Sequence, residues 1–206
     1  IYNSIELDRF TVNYESPNLR KELRIEDNEI VIGTVSRLVP QKGIDILLEA
    51  AKELMSGFTQ VKFLIVGDGY LRKDLETKAK LLRIEDKVIF TGLRKDIFLL
   101  LSIMDIFVQP SLKEGLPLSV LEAQATGVPV IAANVPGNNE LIIHKETGLL
   151  VPPQDKEALR QSLSFLIKNY SLAKEMAQRA KEYCQQKFNA KIMIQQIDKL
   201  YSQLLK

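Results

Sequence analysis

The sequence predicts an α/β protein with a Rossmann-like parallel sheet, helices on both faces of the sheet, and further helices at the C-terminus. Two observations lead to this prediction. From about residue 29 onward, short apolar runs rich in Val and Ile alternate with amphipathic segments of helical period. Strands that are apolar on both sides are typical of parallel sheets covered by helices on both faces. After residue 154 the sequence is helical almost to its end.

The predicted strands are recognised by short runs of β-branched and apolar residues. In the first of them, at 29–36, the stretch Ile-Val-Ile-Gly-Thr-Val has almost no polar side chains on either face of the strand. Further strands are predicted at 61–66, 87–91, 105–109, 128–133 and 148–151. Because a helix separates most of these strands from the next, the strands are expected to run parallel.

The predicted helices are recognised by apolar residues spaced three or four positions apart. Gly43 precedes the first helix, in which Ile44, Leu47 and Leu48 share one face, and Gly57 follows its end. Further helices are predicted at 70–82, 94–102 and 116–126, and then from 154 onward with breaks near 169–171 and 188–189. In this last part, Asp155 and Ser171 are the predicted N-caps, because short polar side chains can accept from the free N–H groups of a helix start.

Three regions are predicted from this pattern. Residues 1–28 are polar and show no period, so we expect an interdomain linker with an N-terminal extension. Residues 29–170 form the Rossmann-like domain, and residues 171–206 form C-terminal helices that pack on it or on an N-terminal domain outside this sequence. The chain opens on Ile1 rather than Met and reads like the interior of a longer sequence, so we expect a fragment.

Composition excludes several classes of protein. With 206 residues, 46% of them hydrophobic and 26% charged, the chain is typical of one soluble globular domain. Its net charge of +2 argues against nucleic-acid binding driven by overall charge. Cys184 is the one cysteine in the sequence, which fits a reducing, cytoplasmic compartment. No apolar run approaches the ~20 residues that a membrane-spanning helix needs.

The loop after the first strand carries two cations. In a parallel sheet the ligand lies beyond the carboxyl ends of the strands, and here Arg37 and Lys42 flank Pro40 just before a predicted helix start. Two cations beside the free N–H groups of a helix N-terminus would suit a diphosphate. Both could equally be ordinary solvated loop cations. The glycine and lysine pattern of a P-loop is absent.

The next two loops carry weaker signals. The turn Gly67-Asp68-Gly69 resembles part of a dinucleotide fingerprint but lacks the third glycine, and a tight turn explains it without a ligand. After the third strand, Gly92 would let the backbone approach a flat ligand, and Arg94 could reach a base or a phosphate.

The loop after the fourth strand places two glutamates along one segment. Glu114 lies in the loop and Glu122 in the following helix, for which Pro117 fits the first turn. At a rise of ~1.5 Å per residue, the two carboxylates lie very roughly 10 Å apart, too far for a retaining-glycosidase pair. We interpret them as two anchors along an extended ligand, with the N–H groups of Gly115 and Leu116 between them as a seat for phosphate. Glu122 could instead face solvent, but its neighbours in the helix are apolar.

At this loop the sequence resembles a known family. Glu114 to Glu122 is similar to the E-x7-E element of retaining glycosyltransferases of the GT-B fold, specifically family 4. The stretch from Gly33 to Arg37 and Leu38, followed by Lys42-Gly43, resembles the phosphate loop of that family. Further similar segments lie, in the same order, at 2–10, 64–69, 88–93, 105–122, 127–132 and 148–152. The resemblance implies that the chain is the C-terminal half of a GT-B fold.

The resemblance also implies a role for each matching residue. Arg37 and Lys42 would neutralise the diphosphate of a nucleotide sugar, and Glu114 would contact the donor sugar. These three would be the catalytic residues. Gly115 and Leu116 would donate to the distal phosphate, and Glu122 would accept from the ribose hydroxyls. The backbone of Gly92 and Leu93 would hold the base edge.

The implied reaction moves a sugar, with retention, from a nucleotide-diphosphate sugar to an acceptor hydroxyl. UDP-sugars are favoured over GDP-mannose as donors. The acceptor, a sugar or a lipid-linked glycan, would bind through an N-terminal domain, so the fragment alone is expected to be inactive. A peripheral contact at the inner face of the membrane is compatible with a lipid acceptor.

No cofactor and no metal are expected. The sequence contains no Asp-x-Asp, and its one histidine, His144, is interpreted as a loop residue. Two alternatives stay open: a non-catalytic nucleotide-sugar-binding module, and a GT-B nucleotide-sugar epimerase. A dinucleotide-dependent dehydrogenase is disfavoured because G-x-G-x-x-G is absent, and the lysine context of a pyridoxal-phosphate phosphorylase is not found.

Overall fold

The fold was taken from a computed structural model of the chain, which describes residues 1–6, 10 and 19–205. Within these residues, six parallel strands form one sheet in the order β3-β2-β1-β4-β5-β6. The strands are β1 (Ile30–Val35), β2 (Val61–Val66), β3 (Val88–Gly92), β4 (Ile106–Gln109), β5 (Val130–Ala133) and β6 (Leu149–Val151). Every predicted strand is present, with bounds within two residues of those predicted.

Helices connect the strands and continue beyond the sheet. They are α1 (Leu19–Glu22), α2 (Ile44–Leu54), α3 (Arg72–Leu81), α4 (Ile97–Ser102), α5 (Leu118–Thr126), α6 (Asn138–Leu141), α7 (Lys156–Lys168), α8 (Tyr170–Lys187) and α9 (Ala190–Leu204). Two single 3-10 turns, Pro40–Lys42 and Glu85–Lys87, precede α2 and β3. The short helices α1 and α6 were not predicted, since four residues carry too little period to be recognised.

Two apolar layers cover the sheet, one on each face. On one face, Ile32 of β1 and Phe63 of β2 pack in a core with α2, α3 and α7. On the other face, Leu64 and Phe107 pack in a core with α4, α5 and Cys184 of α8. Alternate residues of each strand therefore enter opposite cores, as the doubly apolar strands predicted. The Rossmann-like α/β fold with helices on both faces is confirmed.

Two predicted helix starts differ from the structure. The predicted N-cap at Ser171 is wrong, because α8 already begins at Tyr170, directly after Asn169. Asn169 is the single non-helical residue between α7 and α8, and its amide donates back to the carbonyl of Phe165 at 2.8 Å. Pro117 immediately precedes α5 instead of lying in its first turn, because its backbone is extended (ψ 112°). The N-cap at Asp155 is confirmed by its bond from the N–H of Ala158.

The strand order decides where a ligand can lie. Counting from β1, the chain adds strands on one side as far as β3 and then crosses to the other side at β4. The order therefore reverses between β1 and β4, which is the switch point at which open α/β sheets bind their ligands. The loops at 36–43 and 110–117 leave the sheet at this point. Part of the predicted linker, residues 7–9 and 11–18, lies outside the described residues.

Candidate functional site

The loops after β1 and β4 contact each other at the switch point. The N–H of Leu112 donates to the carbonyl of Gln41 at 2.8 Å. Gly43, with a φ of 62°, lies so close to Pro110 that an added Cβ would sit 2.3 Å from the Pro110 carbonyl oxygen. Only glycine fits this approach and this backbone conformation. The two predicted phosphate and sugar loops are therefore neighbours in space.

Lys42 and Glu114 form an ion pair across these loops. The Nζ of Lys42 lies 2.7 Å from Oε1 of Glu114, and both side chains are largely covered, with 17% and 8% of their surfaces exposed. The same oxygen accepts from Nε2 of Gln109 at 2.5 Å. The bond from the charged Lys42 ammonium is short and poorly solvated, and it is therefore stronger than an exposed ion pair. The structure thus brings together the two residues that the sequence placed 72 positions apart.

Arg37 remains unpaired in the part of the chain that the structure describes. It is exposed at the end of β1, and no carboxylate or carbonyl of the described residues accepts from its guanidinium. In the sequence, Arg37 precedes Lys42 of the Lys42–Glu114 pair by five positions. A free guanidinium beside a site is well suited to an anion, because its planar donors match phosphate oxygens.

The segment between the two glutamates presents free backbone donors. Among the described residues, neither the N–H of Gly115 nor that of Leu116 donates to a protein acceptor. Gly115 is exposed, and a Cβ added there would meet no atom within 4 Å. Gly137, in the loop after β5, packs against this segment: its added Cβ would lie 2.1 Å from the Gly115 carbonyl oxygen. The segment therefore has an open side and a tightly supported side.

Glu122 lies on α5 without a side-chain partner among the described residues. Its side chain is half-buried, with buried Leu121 and Ala123 as its chain neighbours. Burial raises the pKa of the Glu122 carboxyl from 4.5 to about 7. A carboxylate that is partly removed from water without gaining a donor is unfavourable in its ionised form. Glu122 does not face solvent freely, so the solvated alternative for this residue is not what the structure shows.

In the loop after β3, the surroundings of Arg94 differ from the prediction that it could reach a base or a phosphate. Arg94 is held by Asp96 at 2.6 Å and by Glu22 at 2.7 Å, which hold the pKa of its guanidinium above the ordinary range. It is thus engaged with carboxylates and is not free for a base or a phosphate. Gly92 is buried with a φ of 72°, and its carbonyl accepts from the N–H of Gly67. Leu93 is an exposed apolar residue of this loop, with 82% of its surface accessible.

The turn after β2 is explained by the protein itself. Oδ1 of Asp68 accepts from the N–H of Gly69 at 2.7 Å, and Oδ2 pairs with Arg72 at 3.1 Å. Gly67 has a φ of 126° and would place a Cβ 1.9 Å from the Ser36 carbonyl oxygen. These contacts confirm the interpretation of Gly67-Asp68-Gly69 as a tight turn that requires glycine.

Sequence reasoning missed two supports of the site. Gln109, the last residue of β4, donates to Glu114, but in the sequence it is simply the end of an apolar strand. Gly137 supports Gly115 from the loop after β5, and the next residue, Asn138, is fully buried with its Oδ1 lacking a partner. For Gln109, the one available sequence signal was a glutamine at the end of an otherwise apolar strand.

The remaining polar residues form no metal centre in the described part of the chain. No group of three or more His, Cys, Asp or Glu side chains is gathered there in a way that could hold a metal ion. His144 lies in the turn before β6, where its Nδ1 accepts from the N–H of Leu150 at 3.0 Å. Among the helices described, we find none with the length and apolar content required to cross a lipid bilayer.

Comparison with known proteins identifies the family. Residues 15–183 match the sequence profile described as glycosyl transferases group 1. The chain belongs to this glycosyltransferase family. A curated relative of the domain, the UDP-Gal:alpha-D-GlcNAc-diphosphoundecaprenol alpha-1,3-galactosyltransferase of Escherichia coli, is 35% identical over 167 residues, which cover 79% of this chain and 43% of the relative.

Two solved structures illustrate how closely known folds match this chain. Anabaena Alr3699/HepE, crystallised in complex with UDP and glucose, superposes with a TM-score of 0.92 at 29% identity, over 98% of this chain and 56% of that one. The C-terminal domain of the group 1 glycosyl transferase LpcC from Francisella tularensis superposes with a TM-score of 0.81 at 25% identity, over 90% and 99%. The chain spans about half the length of the curated relatives it matches.

Proposed function

We propose that this domain binds the nucleotide-diphosphate sugar donor of a glycosyltransferase. The observation that carries the proposal is the switch-point cluster, which contains the Lys42–Glu114 pair together with Arg37 and the N–H groups of Gly115 and Leu116, for which the described residues offer no partner. Cations and backbone donors at such a place are the groups that bind a diphosphate. The Anabaena protein with UDP and glucose has this fold, which supports the assignment.

Each residue has a place along the extended donor. Arg37 and Lys42 neutralise the diphosphate, and Gly115 and Leu116 donate to its distal phosphate. Glu122, half-buried and without a side-chain partner among the described residues, accepts from the ribose hydroxyls, which would supply donors to its carboxylate. Glu114 faces the sugar, and its Oε2 makes no bond to a described residue.

The base edge is assigned to the loop after β3. Exposed Leu93 and the adjacent Gly92 carry this part of the proposal, since Arg94 is occupied by Asp96 and Glu22. UDP-linked sugars are favoured over GDP-mannose, in keeping with relatives whose names or bound ligands contain UDP.

The whole protein is proposed to transfer the sugar with retention and without a metal. Charge that develops on the leaving diphosphate would be met by Arg37, Lys42 and the N–H groups of the Glu114 loop, a preorganised electrostatic site. Because the chain spans about half the length of its relatives, a second domain would supply the acceptor site, and this chain alone would show little or no transfer.

The proposed second domain also explains helix α9. This helix carries an apolar stripe but has no buried residue, and Ile194, Leu200 and Leu204 are exposed. An apolar stripe of this kind normally packs on another element.

We place the C-terminal helices of residues 171–206 between the two domains, with residues 1–28 as the linker and residues 29–170 as the donor domain. A cytoplasmic enzyme with a sugar or lipid-linked acceptor, in peripheral contact with the membrane, fits this arrangement.

Titration calorimetry of the chain tests donor binding. UDP, UDP-glucose, GDP, GDP-mannose, ADP and uridine form the panel. We expect UDP and UDP-glucose to bind, uridine to bind at least about tenfold more weakly because it lacks the diphosphate, and GDP-mannose to bind more weakly than UDP-glucose. Absence of binding by every nucleotide diphosphate would overturn the proposal.

Activity assays on the full-length protein distinguish the two alternatives. A non-catalytic binding module would bind the donor but show no turnover with any acceptor. An epimerase would convert or hydrolyse UDP-glucose without an acceptor. Retention is tested by the anomeric proton coupling of the product, and metal independence by unchanged turnover in excess chelator.

A further inference from the structure

We propose that Gln109 is a positioning residue for Glu114, holding one oxygen of its carboxylate so that the other faces the donor sugar. The inference rests on the proposed donor function of Glu114 and extends it to a residue outside the E-x7-E element. Gln109 itself would not touch the donor. Its effect would therefore be confined to the sugar end of the ligand.

The geometry begins with the place of Gln109 in the sheet. It is the last residue of β4, at the carboxyl end of a central strand, and only 1% of its surface is exposed. Its Nε2 donates to Oε1 of Glu114 at 2.5 Å and to Oγ of Ser111 at 3.1 Å. A buried side chain on a strand is held by its neighbours, so it is a better anchor than a loop residue.

Two donors, one at the end of a strand and one in a neighbouring loop, meet at one oxygen of Glu114. Oε1 accepts from Gln109 at the end of β4 and from Lys42 in the loop after β1. Oε2 accepts from no described residue and is not among the buried unpartnered atoms. Two donors on one oxygen restrict rotation of the carboxylate and leave the second oxygen facing outward. A sugar hydroxyl could donate to that second oxygen without breaking either bond.

The chemistry of Gln109 is suited to this task. Its amide supplies N–H donors without adding a charge, whereas a glutamate here would oppose Glu114 and a lysine would compete with Lys42 for it. The other amide atom, Oε1, is buried without a partner. A buried acceptor without a donor costs stability. An apolar side chain would avoid that cost but could not donate to Glu114.

A second buried glutamine provides a matched control. Gln124 of α5 is fully buried, donates through Nε2 to the carbonyl of Leu141 at 2.9 Å, and also has an unpartnered Oε1. It makes no bond to Glu114. Replacing either glutamine by methionine removes one buried donor and one unsatisfied acceptor at nearly constant volume, so the two variants differ chiefly in which group loses its donor.

The test compares the affinity of the chain for UDP-glucose with that for UDP. Gln109→Met should weaken UDP-glucose by about five- to tenfold, the effect expected for loss of a bond to a charged group, and change UDP by less than about twofold. Gln124→Met should leave both affinities unchanged. In a Glu114→Ala background, Gln109→Met should have no further effect, because Gln109 acts only through Glu114. Should the methionine variant not fold, Gln109→Asn repeats the comparison, because its shorter amide keeps a polar group in the site but withdraws the donor from Glu114.

Each failure has its own signature. Equal weakening of UDP and UDP-glucose by Gln109→Met would indicate general damage and overturn the positioning role, as would unchanged UDP-glucose affinity. A further loss in the Glu114→Ala background would show that Gln109 acts on something else. If Glu114→Ala leaves UDP-glucose affinity unchanged while UDP still binds, the proposed sugar contact of Glu114 is wrong although donor binding stands. If the wild-type chain binds neither ligand, the donor function itself is wrong.

Discussion

Lys42 and Glu114 are paired at 2.7 Å across the switch point of the sheet, so two residues proposed to act on one ligand also bind each other. The pairing keeps a largely covered glutamate from being left as an isolated charge. It also means that a diphosphate approaching Lys42 must share the ammonium with Glu114. Arg37 carries no such partner in the described chain and is free to make the first contact.

Lys42→Met should weaken UDP binding by about tenfold or more, because a charge-assisted contact to the diphosphate is lost. It should also lower the free energy of unfolding by about 1–3 kcal/mol, because Glu114 loses its cation. Calorimetry and urea unfolding measure the two effects. The control is Lys113→Met, an exposed cation in the neighbouring loop after β4, next to Glu114, with no ion pair among the described residues. An equal loss of UDP affinity in both variants would indicate that the positive charge near the site attracts UDP in general and that Lys42 makes no specific contact with it.

Glu122 should make donor binding depend on pH. Burial raises the pKa of its carboxyl to about 7, so it is mostly protonated at pH 6 and mostly ionised at pH 8. If the ionised form accepts from ribose, UDP-glucose should bind up to about tenfold more weakly at pH 6 than at pH 8. UDP-glucose is the probe because its diphosphate does not titrate in this range. Glu122→Gln should remove the dependence; a variant with the wild-type profile would contradict the assignment.

The same carboxyl should affect stability with the opposite sign. Its pKa in the folded chain, about 7, is higher than the value of 4.5 expected in the unfolded chain. The folded state therefore holds the proton more tightly, and stability present below pH 4.5 is lost as the pH rises through about 7. The loss is on the order of 2–3 kcal/mol. Urea unfolding at pH 5 and pH 8 should show this decline in the wild-type chain, and Glu122→Gln should decline less.

Gly137→Ala should disturb the Glu114 loop from outside it. An added Cβ would lie 2.1 Å from the carbonyl oxygen of Gly115, and the φ of 87° is strained for alanine. We expect a loss of about 1–3 kcal/mol in the free energy of unfolding and weaker UDP binding. Gly57→Ala is the control, since its Cβ would meet only the Leu54 carbonyl oxygen at 3.8 Å. Unchanged UDP affinity in Gly137→Ala would show that this contact does not shape the site.

Arg94→Met should leave binding unchanged. Its guanidinium is occupied by Asp96 and Glu22, so it holds α1 near the loop after β3 and is not free for a ligand. Partly exposed ion pairs of this kind contribute little, and we expect a loss of at most about 1 kcal/mol in the free energy of unfolding. Thermal unfolding and UDP calorimetry measure both quantities. A tenfold loss of UDP affinity would instead make Arg94 a ligand contact.

The apolar stripe of α9 should contribute to stability only in a protein that contains the proposed second domain. Ile194→Glu should change the melting temperature of this chain by less than about 2 °C, because no residue of α9 is buried here. In the full-length protein the same change should lower the melting temperature clearly. Leu166→Glu, which places a charge on the buried face of α7, is the control expected to unfold both forms. Equal tolerance of Ile194→Glu in both proteins would argue against docking of α9.

Sequence pattern was sufficient for the fold because each strand is apolar on both faces, and only a parallel sheet between two helical layers buries both faces at once. The same pattern located the site loops, since polar and glycine residues such as Arg37, Lys42 and Glu114 stand where buried strands end. It failed for Ser171, because one non-helical residue is enough to separate α7 from α8. Helix propensity does not distinguish a cap at Asn169 from one at Ser171.

The pairings within the site depended on tertiary structure. The strand order places β4 beside β1, and this brings Glu114 to Lys42, Gln109 beneath Glu114, and Gly137 against Gly115. The same packing gives Arg94 two carboxylate partners, whereas half-buried Glu122 has no side-chain partner among the described residues. The residue types of the site could be predicted along the chain because each loop follows from its own strand. The partner of each charge could not, because it depends on which strands lie side by side.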